Sequence, residues 1–146
     1  MSERSLAVAF SRRTSLPSFL TRFLTGGARW SHCGIVDNER GVVIEALMFK
    51  GVVETPFAHW QLRYPSFEVV QIACPVPALA LDFARRQVGA GYDYLGAMGV
   101  PWRSPWHHPG RWYCSELVEA ALAQAGRRRW RLEARGISPM ESWLVL

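Results

Sequence analysis

Cys114 and His32 are the two residues of this sequence whose types and positions could support nucleophilic catalysis. Cys114 stands where an irregular stretch rich in Trp and Pro gives way to a helical pattern, and His32 lies far upstream in the apolar run 30–36. A cysteine in the first turn of a helix lies near the positive end of the helix dipole, which favours the thiolate over the thiol. The pair therefore predicts a thiol nucleophile with an imidazole as its base.

A third polar group is needed to orient the imidazole, and Glu45 is the candidate. It is the only ionisable residue in the apolar run 42–47, which follows the His32 strand across a predicted hairpin. Residues directly opposite each other on antiparallel strands share a face. A four-residue loop, 37–40, predicts that His32 lies opposite Glu45, whereas a five-residue loop would bring Glu45 beside Cys33 instead.

Each of these three residues also has an ordinary structural explanation. A histidine in a strand is more often a core or surface residue, and a cysteine near a helix start is usually a small buried apolar side chain. A glutamate among Val, Ile, Ala and Leu more often points outward from a half-exposed strand. Their conjunction is more informative, because each would otherwise be the one chemically unusual residue of its element.

The hydrophobic pattern predicts an α+β fold with a central antiparallel sheet packed by helices. Short apolar runs bounded by turn residues predict strands at 5–10, 30–36, 42–47, 51–54 and 67–74, with the last two forming a further pair. Helical spacing predicts helices at 16–24, 78–89 and 114–125, and the segment 99–113 has no period and is expected to be a loop. The candidate nucleophile then lies at a helix N-terminus.

Length and composition favour one compact domain over residues 1–146. The chain has 146 residues, 49% of them hydrophobic, and three cysteines without metal-finger or disulfide-framework spacing. No segment approaches the roughly 20 apolar residues of a spanning helix, and no signal peptide is evident. We expect a soluble, cytoplasmic protein of unspecified oligomeric state.

The net charge of +5 comes almost entirely from arginine and is densest at 127–131. Guanidinium groups beside Trp130 could contact the phosphates of nucleic acid or of an anionic membrane. Short charge runs are usually solvated surface, and no nucleic-acid-binding motif surrounds this one. We expect no obligatory nucleic-acid partner, and a basic binding module without turnover stays as an alternative from a different functional class.

Four motifs together carry a family resemblance: SHCGIV at 31–36, VIEA at 43–46, GYDYLG at 91–96 and YCSELV at 113–118. In this order they resemble the circularly permuted papain-like amidases of the NlpC superfamily, the YiiX/YaeF-type group, over the chain from about residue 5 to 138–139. The resemblance implies a papain-like fold with Cys114 as nucleophile, His32 as general base and acid, and Glu45 as the orienting residue. The family commonly has Val where this chain has Cys33.

The resemblance further implies a reaction and a substrate site. Thiolate attack on an amide or acyl-ester carbonyl would give a thioester acyl-enzyme, and the backbone N–H of Cys114 or Ser115 could stabilise the oxyanion. Tyr92 and Tyr94 lie where family members place aromatic side chains on the substrate side, although a turn stabilised by Asp93 explains this segment equally well.

The tryptophans of the segment 99–113 are further substrate-binding candidates. Trp102 and Trp106, with Trp112, could line a groove for an acyl chain, a peptide or a sugar ring, or could merely stiffen a long connection. Metal ligation is not expected, because the adjacent His107 and His108 with one distant thiol make a poor closed zinc site. No cofactor is expected.

Two enzyme functions therefore remain open on one Cys-His-Glu site. The first is a cysteine-dependent amidase or peptidase acting on cell-wall peptides. The second is a lipid ester hydrolase or acyltransferase, as the related lecithin:retinol acyltransferase-like branch suggests. The sequence does not separate them.

Overall fold

A five-stranded antiparallel sheet forms the centre of the computed structural model, which describes residues 4–12, 29–100, 108–130 and 137–145. In spatial order the sheet is β4-β3-β2-β1-β5. Its strands are β1 (Ser5–Arg12), β2 (His32–Asp37), β3 (Val42–Leu47), β4 (Gly51–Pro56) and β5 (Ser66–Ala73). All five predicted strands are confirmed to within a few residues, and with them the mixed α+β class with a central antiparallel sheet.

The predicted pairing of the strands at 51–54 and 67–74 is wrong. β4 pairs with β3 at one edge of the sheet, whereas β5 pairs with β1 along its whole length at the other edge, from Ser5 opposite Ala73 to Arg12 opposite Ser66. The reason is a helix, α1 (Phe57–Arg63), which connects the two edges. No helix was predicted for this stretch, which lies between Pro56 and Pro65.

Four further helices are described: α2 (Pro77–Gln87), α3 (Tyr94–Gly99), α4 (Cys114–Gln124) and α5 (Pro139–Leu144). The predictions of helices at 78–89 and 114–125 are confirmed. Every apolar residue used to predict α4 is fully buried, namely Leu117, Val118, Ala121, Leu122 and Ala125. Gly126 ends the helix with a positive φ of 81°, which favours glycine. The predicted helix at 16–24 lies outside the described residues.

The segment expected to be a loop contains a short strand. β7 (Arg111–Trp112) runs parallel to β6 (Gly91–Tyr92) in a separate two-stranded sheet. Asp93 N-caps α3 by accepting a hydrogen bond from the Gly96 N–H at 2.8 Å. This pairing joins the residues just before Cys114 to the segment that carries Tyr92 and Tyr94.

The two faces of the central sheet carry different hydrophobic clusters. On one face Leu6, Val8 and Phe10 of β1 pack into the main core, which includes residues of α2 and α4. On the other face Ala7 and Ala9 pack into a smaller cluster with two aromatic residues of α1. Successive side chains of β1 point to opposite faces of the sheet, and because both sets are apolar, each face carries a hydrophobic cluster. The residues of the candidate site are distributed over these two faces.

Candidate active site

His32 is the first residue of β2 and is held between a carboxylate and an aromatic ring. Its Nε2 atom lies 2.6 Å from Glu45 Oε2, and its side chain is 12% exposed. The ring of Tyr64 stacks on the imidazole, with centroids 5.2 Å apart and planes at 18°. Because a carboxylate only accepts hydrogen bonds, Nε2 carries the proton. The second ring nitrogen, Nδ1, is left to face a different partner.

Glu45 is a completely buried carboxylate that receives four hydrogen bonds. The imidazole of His32 and the indole N–H of Trp60 donate to Oε2, the latter at 3.0 Å. Thr55 Oγ1 and Arg63 donate to Oε1, at 2.7 and 2.8 Å. Both oxygens therefore have two donors each, which is what a buried carboxylate needs to stay ionised.

His32 and Glu45 are hydrogen-bonded although the register between β2 and β3 differs from the predicted one. The observed pairs, Ile35 with Ile44 and Val36 with Val43, put Gly34 rather than His32 opposite Glu45. The hairpin loop has the predicted four residues but begins one residue later, at 38, which moves the register by two positions. Because side chains alternate with period two, a shift of two leaves the two side chains on the same face, as diagonal neighbours.

Cys114 is the first residue of α4, and its thiol is mostly buried, at 8% exposure. His32 and Cys33 adjoin its sulfur, and their interactions with it lower the pKa of Cys114. Since His32 Nε2 is bonded to Glu45, Nδ1 is the ring nitrogen available to the thiol. His32 thus links the two groups: it is hydrogen-bonded to Glu45 and it lowers the pKa of Cys114.

The pKa values of the three groups favour charge separation along this chain. Hydrogen bonds from Cys33 and His32, with the charge of His32, hold the pKa of Cys114 well below its ordinary value against the opposing effect of burial. Burial opposes the imidazolium, but Tyr64 and the hydrogen bonds to Cys114 and Glu45 raise the pKa of His32 well above its ordinary value. Burial likewise opposes ionisation of Glu45, yet His32, Thr55 and Arg63 lower its pKa. All three shifts act in favour of a thiolate beside an imidazolium.

Tyr92 and Tyr94, two of the proposed substrate-binding residues, form a T-shaped ring pair with centroids 5.0 Å apart. Burial and the charge of Cys114 raise the pKa of Tyr92. Tyr94 is 38% exposed, and its hydroxyl accepts a hydrogen bond from the Phe49 N–H at 2.8 Å. The two rings lead from the thiol to the surface.

The remaining substrate-binding candidates are placed differently. The Ser115 hydroxyl is fully buried and donates to the carbonyl of Ile137 at 2.5 Å, so its side chain faces the C-terminal segment. Trp102 and Trp106 lie outside the described residues. Trp112 is described: its indole N–H donates to Gln87 at 3.0 Å and its ring packs on Phe83. These contacts anchor Trp112 to α2.

The basic run at 127–131 is not a continuous solvated face. The guanidinium of Arg129 is 3% exposed and is paired with the buried carboxylate of Glu119 and the hydroxyl of Ser142. Arg127 and Arg128 are exposed, and Arg131 lies outside the described residues. Arg129 is therefore a structural residue, and the sequence alone did not distinguish it from the other arginines of the run.

Four residues around the site were not found from the sequence: Thr55, Trp60, Arg63 and Tyr64. Three of them belong to or directly follow α1, the helix that the sequence analysis missed. A signal was present, because Phe57, Trp60 and Tyr64 are spaced by three and four residues, as on one face of a helix. The three rings contact one another, at 6.1 Å between the first two and 4.8 Å between the last two.

No family model matches the chain, and no curated protein matches it in sequence. Among solved structures it is similar to the crystal structure of a protein described as the metalloprotein yiiX from Escherichia coli O157:H7. The TM-score is 0.63 at 22% sequence identity, and the match covers 88% of this chain and 69% of that one. At this identity the similarity establishes a common fold. Within the described part of the chain, no helix has the length and apolar character needed to cross a membrane.

Proposed function

We propose that this protein is a cysteine hydrolase of the circularly permuted papain-like type, a single domain that cleaves amide bonds through a thioester acyl-enzyme. The observation that carries the proposal is that His32 is hydrogen-bonded to the buried Glu45 and lowers the pKa of Cys114. A low-pKa thiol at a helix start, an imidazole and an orienting carboxylate are the parts that thiol acyl transfer requires. Peptides such as those of the cell wall are the proposed substrates.

The proposed reaction begins with attack of the Cys114 thiolate on the substrate carbonyl. The imidazolium of His32 donates its Nδ1 proton to the leaving amine, which departs as the thioester forms. The neutral imidazole then takes a proton from water, and the resulting hydroxide attacks the thioester and releases the acid and the thiolate. Glu45 keeps the imidazole oriented throughout, and N–H groups at the start of α4 are placed to stabilise each oxyanion.

The structurally similar Escherichia coli protein is described as a metalloprotein. Within residues 4–12, 29–100, 108–130 and 137–145, no group of three or more His, Cys, Asp or Glu side chains is arranged to hold a metal ion. The described residues therefore do not fit a metal, and no step of the proposed mechanism uses one. Activity is expected to persist after treatment with a chelator.

Trapping of the acyl group on Cys114 tests the proposal most directly. The purified protein is incubated with pools of peptides and acyl esters, quenched in acid and examined by intact mass and peptide mapping. We expect an adduct on Cys114 in wild type, turnover lost in Cys114→Ala and in His32→Ala, and unchanged circular dichroism in both. Turnover that survives in either variant would overturn the assignment.

A lipid ester hydrolase or acyltransferase is the second candidate, and exposed apolar side chains beside the site favour it. Phe49 is 88% exposed and contacts Tyr94, while Leu95 and Met98 of α3 are 46% and 62% exposed. Tyr94 in turn contacts Tyr92, so an apolar surface extends from the solvent to the surroundings of the thiol. Such a surface suits an acyl chain.

Replacement of Phe49 separates the two candidates. If lipid esters are the substrates, Phe49→Ser should lower activity on micellar esters several-fold while activity on a short water-soluble ester stays unchanged. Leu62→Ser is the matched control, because Leu62 is similarly exposed, at 85%, but lies on α1. Equal activity of both variants on micelles would favour the amidase.

A further inference from the structure

Cys33 is a second thiol in direct contact with the proposed nucleophile. It follows His32 in β2, and because successive residues of a strand face opposite ways, its side chain enters the main core with α4. There it is completely buried, in the same hydrophobic cluster as Cys114, and its interaction with the Cys114 sulfur lowers the pKa of that thiol. The mechanism above gives this thiol no step.

We propose that Cys33 and Cys114 are the site of a reversible oxidative modification, an intramolecular disulfide that masks the nucleophile and protects it from irreversible oxidation. The third cysteine, Cys74, follows β5 and is hydrogen-bonded to the backbone of Leu6. It serves as an internal control within the same chain. The proposal shares the reactive thiol of the proposed function but does not depend on hydrolysis.

The disulfide forms in two balanced steps with a hydroperoxide as oxidant. The Cys114 thiolate attacks the outer peroxide oxygen, so an S–O bond forms and the O–O bond breaks, and the departing hydroxide or alkoxide takes the proton of the His32 imidazolium to leave as water or an alcohol. The sulfur of Cys33 then attacks the sulfenic sulfur of Cys114. An S–S bond forms, the S–O bond breaks, and the departing hydroxide takes the Cys33 proton as water. A dithiol reverses the modification.

The surroundings of the two thiols give them different roles. Cys114 keeps 8% exposure whereas Cys33 has none, and the pKa of Cys114 is lowered, so Cys114 is the thiol that reacts with the oxidant. Burial and the neighbouring Cys114 raise the pKa of Cys33, which keeps it protonated and shielded until the sulfenic acid forms beside it. A disulfide needs an S–S distance of about 2.05 Å, so its formation requires the two side chains to move together.

Oxidation of the full-length protein by hydrogen peroxide, followed by intact mass measurement and non-reducing peptide mapping, tests the proposal. Wild type should lose the mass of two hydrogens, yield a peptide pair joined through Cys33 and Cys114, and return to its starting mass with dithiothreitol. Cys33→Val should instead gain two or three oxygens on Cys114 that dithiothreitol does not remove. Cys74→Ser should behave as wild type.

The result that would overturn the proposal is stable sulfinic acid on Cys114 of the wild type, or a cross-link through Cys74. Valine is close to cysteine in size and suits a buried strand, and Cys33→Ala provides a second variant in which the same loss of protection is expected. Because the readout is mass, it is independent of substrate turnover. A protein that forms the disulfide but acylates with no substrate refutes the proposed hydrolase and leaves the modification standing.

Discussion

The order in which the Cys114 and His32 protons are lost determines whether this site holds an ion pair. In free side chains the imidazole, with a pKa of about 6.5, loses its proton before the thiol, at about 8.5, so the charged pair is never the main form. Here the pKa of Cys114 is lowered and that of His32 raised. These opposite shifts favour the coexistence of thiolate and imidazolium.

The opposite shifts of the two pKa values predict a bell-shaped pH dependence of kcat/KM. Activity should rise as Cys114 deprotonates, with an apparent pKa below the roughly 8.5 of a free thiol, and fall as His32 loses its proton, above the roughly 6.5 of a free imidazole. Alkylation of Cys114 by iodoacetamide across pH should report the same acid limb. In His32→Ala this limb should move to higher pH.

Cys74 is the internal standard for this measurement, because burial raises its pKa. It should be alkylated only at higher pH than Cys114 in the same sample. Equal rates for the two thiols at every pH would contradict the ion pair.

Glu45→Gln should lower both activity and stability. A glutamine replaces one acceptor oxygen with an amide donor, which then faces two donors, either His32 and Trp60 or Thr55 and Arg63. We expect kcat to fall roughly 10²- to 10⁴-fold, since the carboxylate orients the imidazole rather than reacting. The free energy of unfolding should fall by about 1–3 kcal/mol, the cost of unsatisfied buried polar groups.

The pH dependence of unfolding adds a signature that is specific to Glu45. Because its pKa is lower in the folded state, the stability it contributes is present above the unfolded-state pKa and is lost as pH falls through the folded-state pKa. The acid loss of stability should be smaller in Glu45→Gln. Glu54→Gln, a partly exposed carboxylate paired with Arg40, is the control and should cost no more than about 1 kcal/mol.

At the scale of elements, the absence of a side chain at Gly34 allows β2 and β3 to bring His32 and Glu45 together. A Cβ atom at Gly34 would lie 2.6 Å from Val43 Cγ1 and 3.2 Å from Glu45 Cβ. Gly34→Ala should therefore displace β3, reduce stability by about 1–3 kcal/mol through overpacking, and lower kcat by moving the carboxylate. Thermal unfolding and steady-state kinetics measure the two effects.

Gly91→Ala provides the comparison for stability, because the three atoms nearest to its Cβ, at 3.3–3.4 Å, all belong to the flexible side chain of Arg111. It should lower the melting temperature less than Gly34→Ala. A Gly34→Ala protein with wild-type stability and rate would show that the close contact between the strands does not constrain the site.

The elements show which parts of the fold follow from local sequence. Strand and helix positions were predictable because alternation along β1 and helical spacing along α4 are local patterns. The pairing of β5 with β1 was not, because strands distant in sequence leave no local record of their partners. The same limit applies to the site. Cys114, His32 and Glu45 could be predicted because each is chemically unusual within its element. Trp60 and Arg63 could not, because their positions depend on a short helix that begins after a proline.

At the scale of the whole molecule, the C-terminal segment is fastened to the helix that carries Cys114. The Ile137 N–H donates to the Tyr113 hydroxyl at 3.1 Å, and the Ile137 carbonyl accepts from Ser115. Further along, Trp143 packs edge-on against Phe10 of β1, with centroids 5.3 Å apart. Residues immediately before and after the proposed nucleophile are thus held by the end of the chain.

The buried ion pair between Arg129 and Glu119, joined by Ser142, completes this attachment, and its removal should destabilise the whole protein. Arg129→Met leaves the carboxylate of Glu119 buried without its cation, a change that costs about 3–5 kcal/mol. Removing both charges avoids that cost, so Arg129→Met/Glu119→Leu should recover most of the loss. Urea unfolding of the two proteins beside wild type measures the difference.

Arg128→Met is the matched control, because Arg128 is exposed and adjacent in sequence. Its effect should stay within about 0.5 kcal/mol, as for most surface substitutions. The comparison also tests the basic run as a binding surface: if Arg129 acted as one more solvated charge of that run, its replacement would destabilise the protein no more than that of Arg128. We expect the free energy of unfolding to fall much further in Arg129→Met than in Arg128→Met, and to recover in the double variant. That result would show that Arg129 holds the C-terminal segment in place.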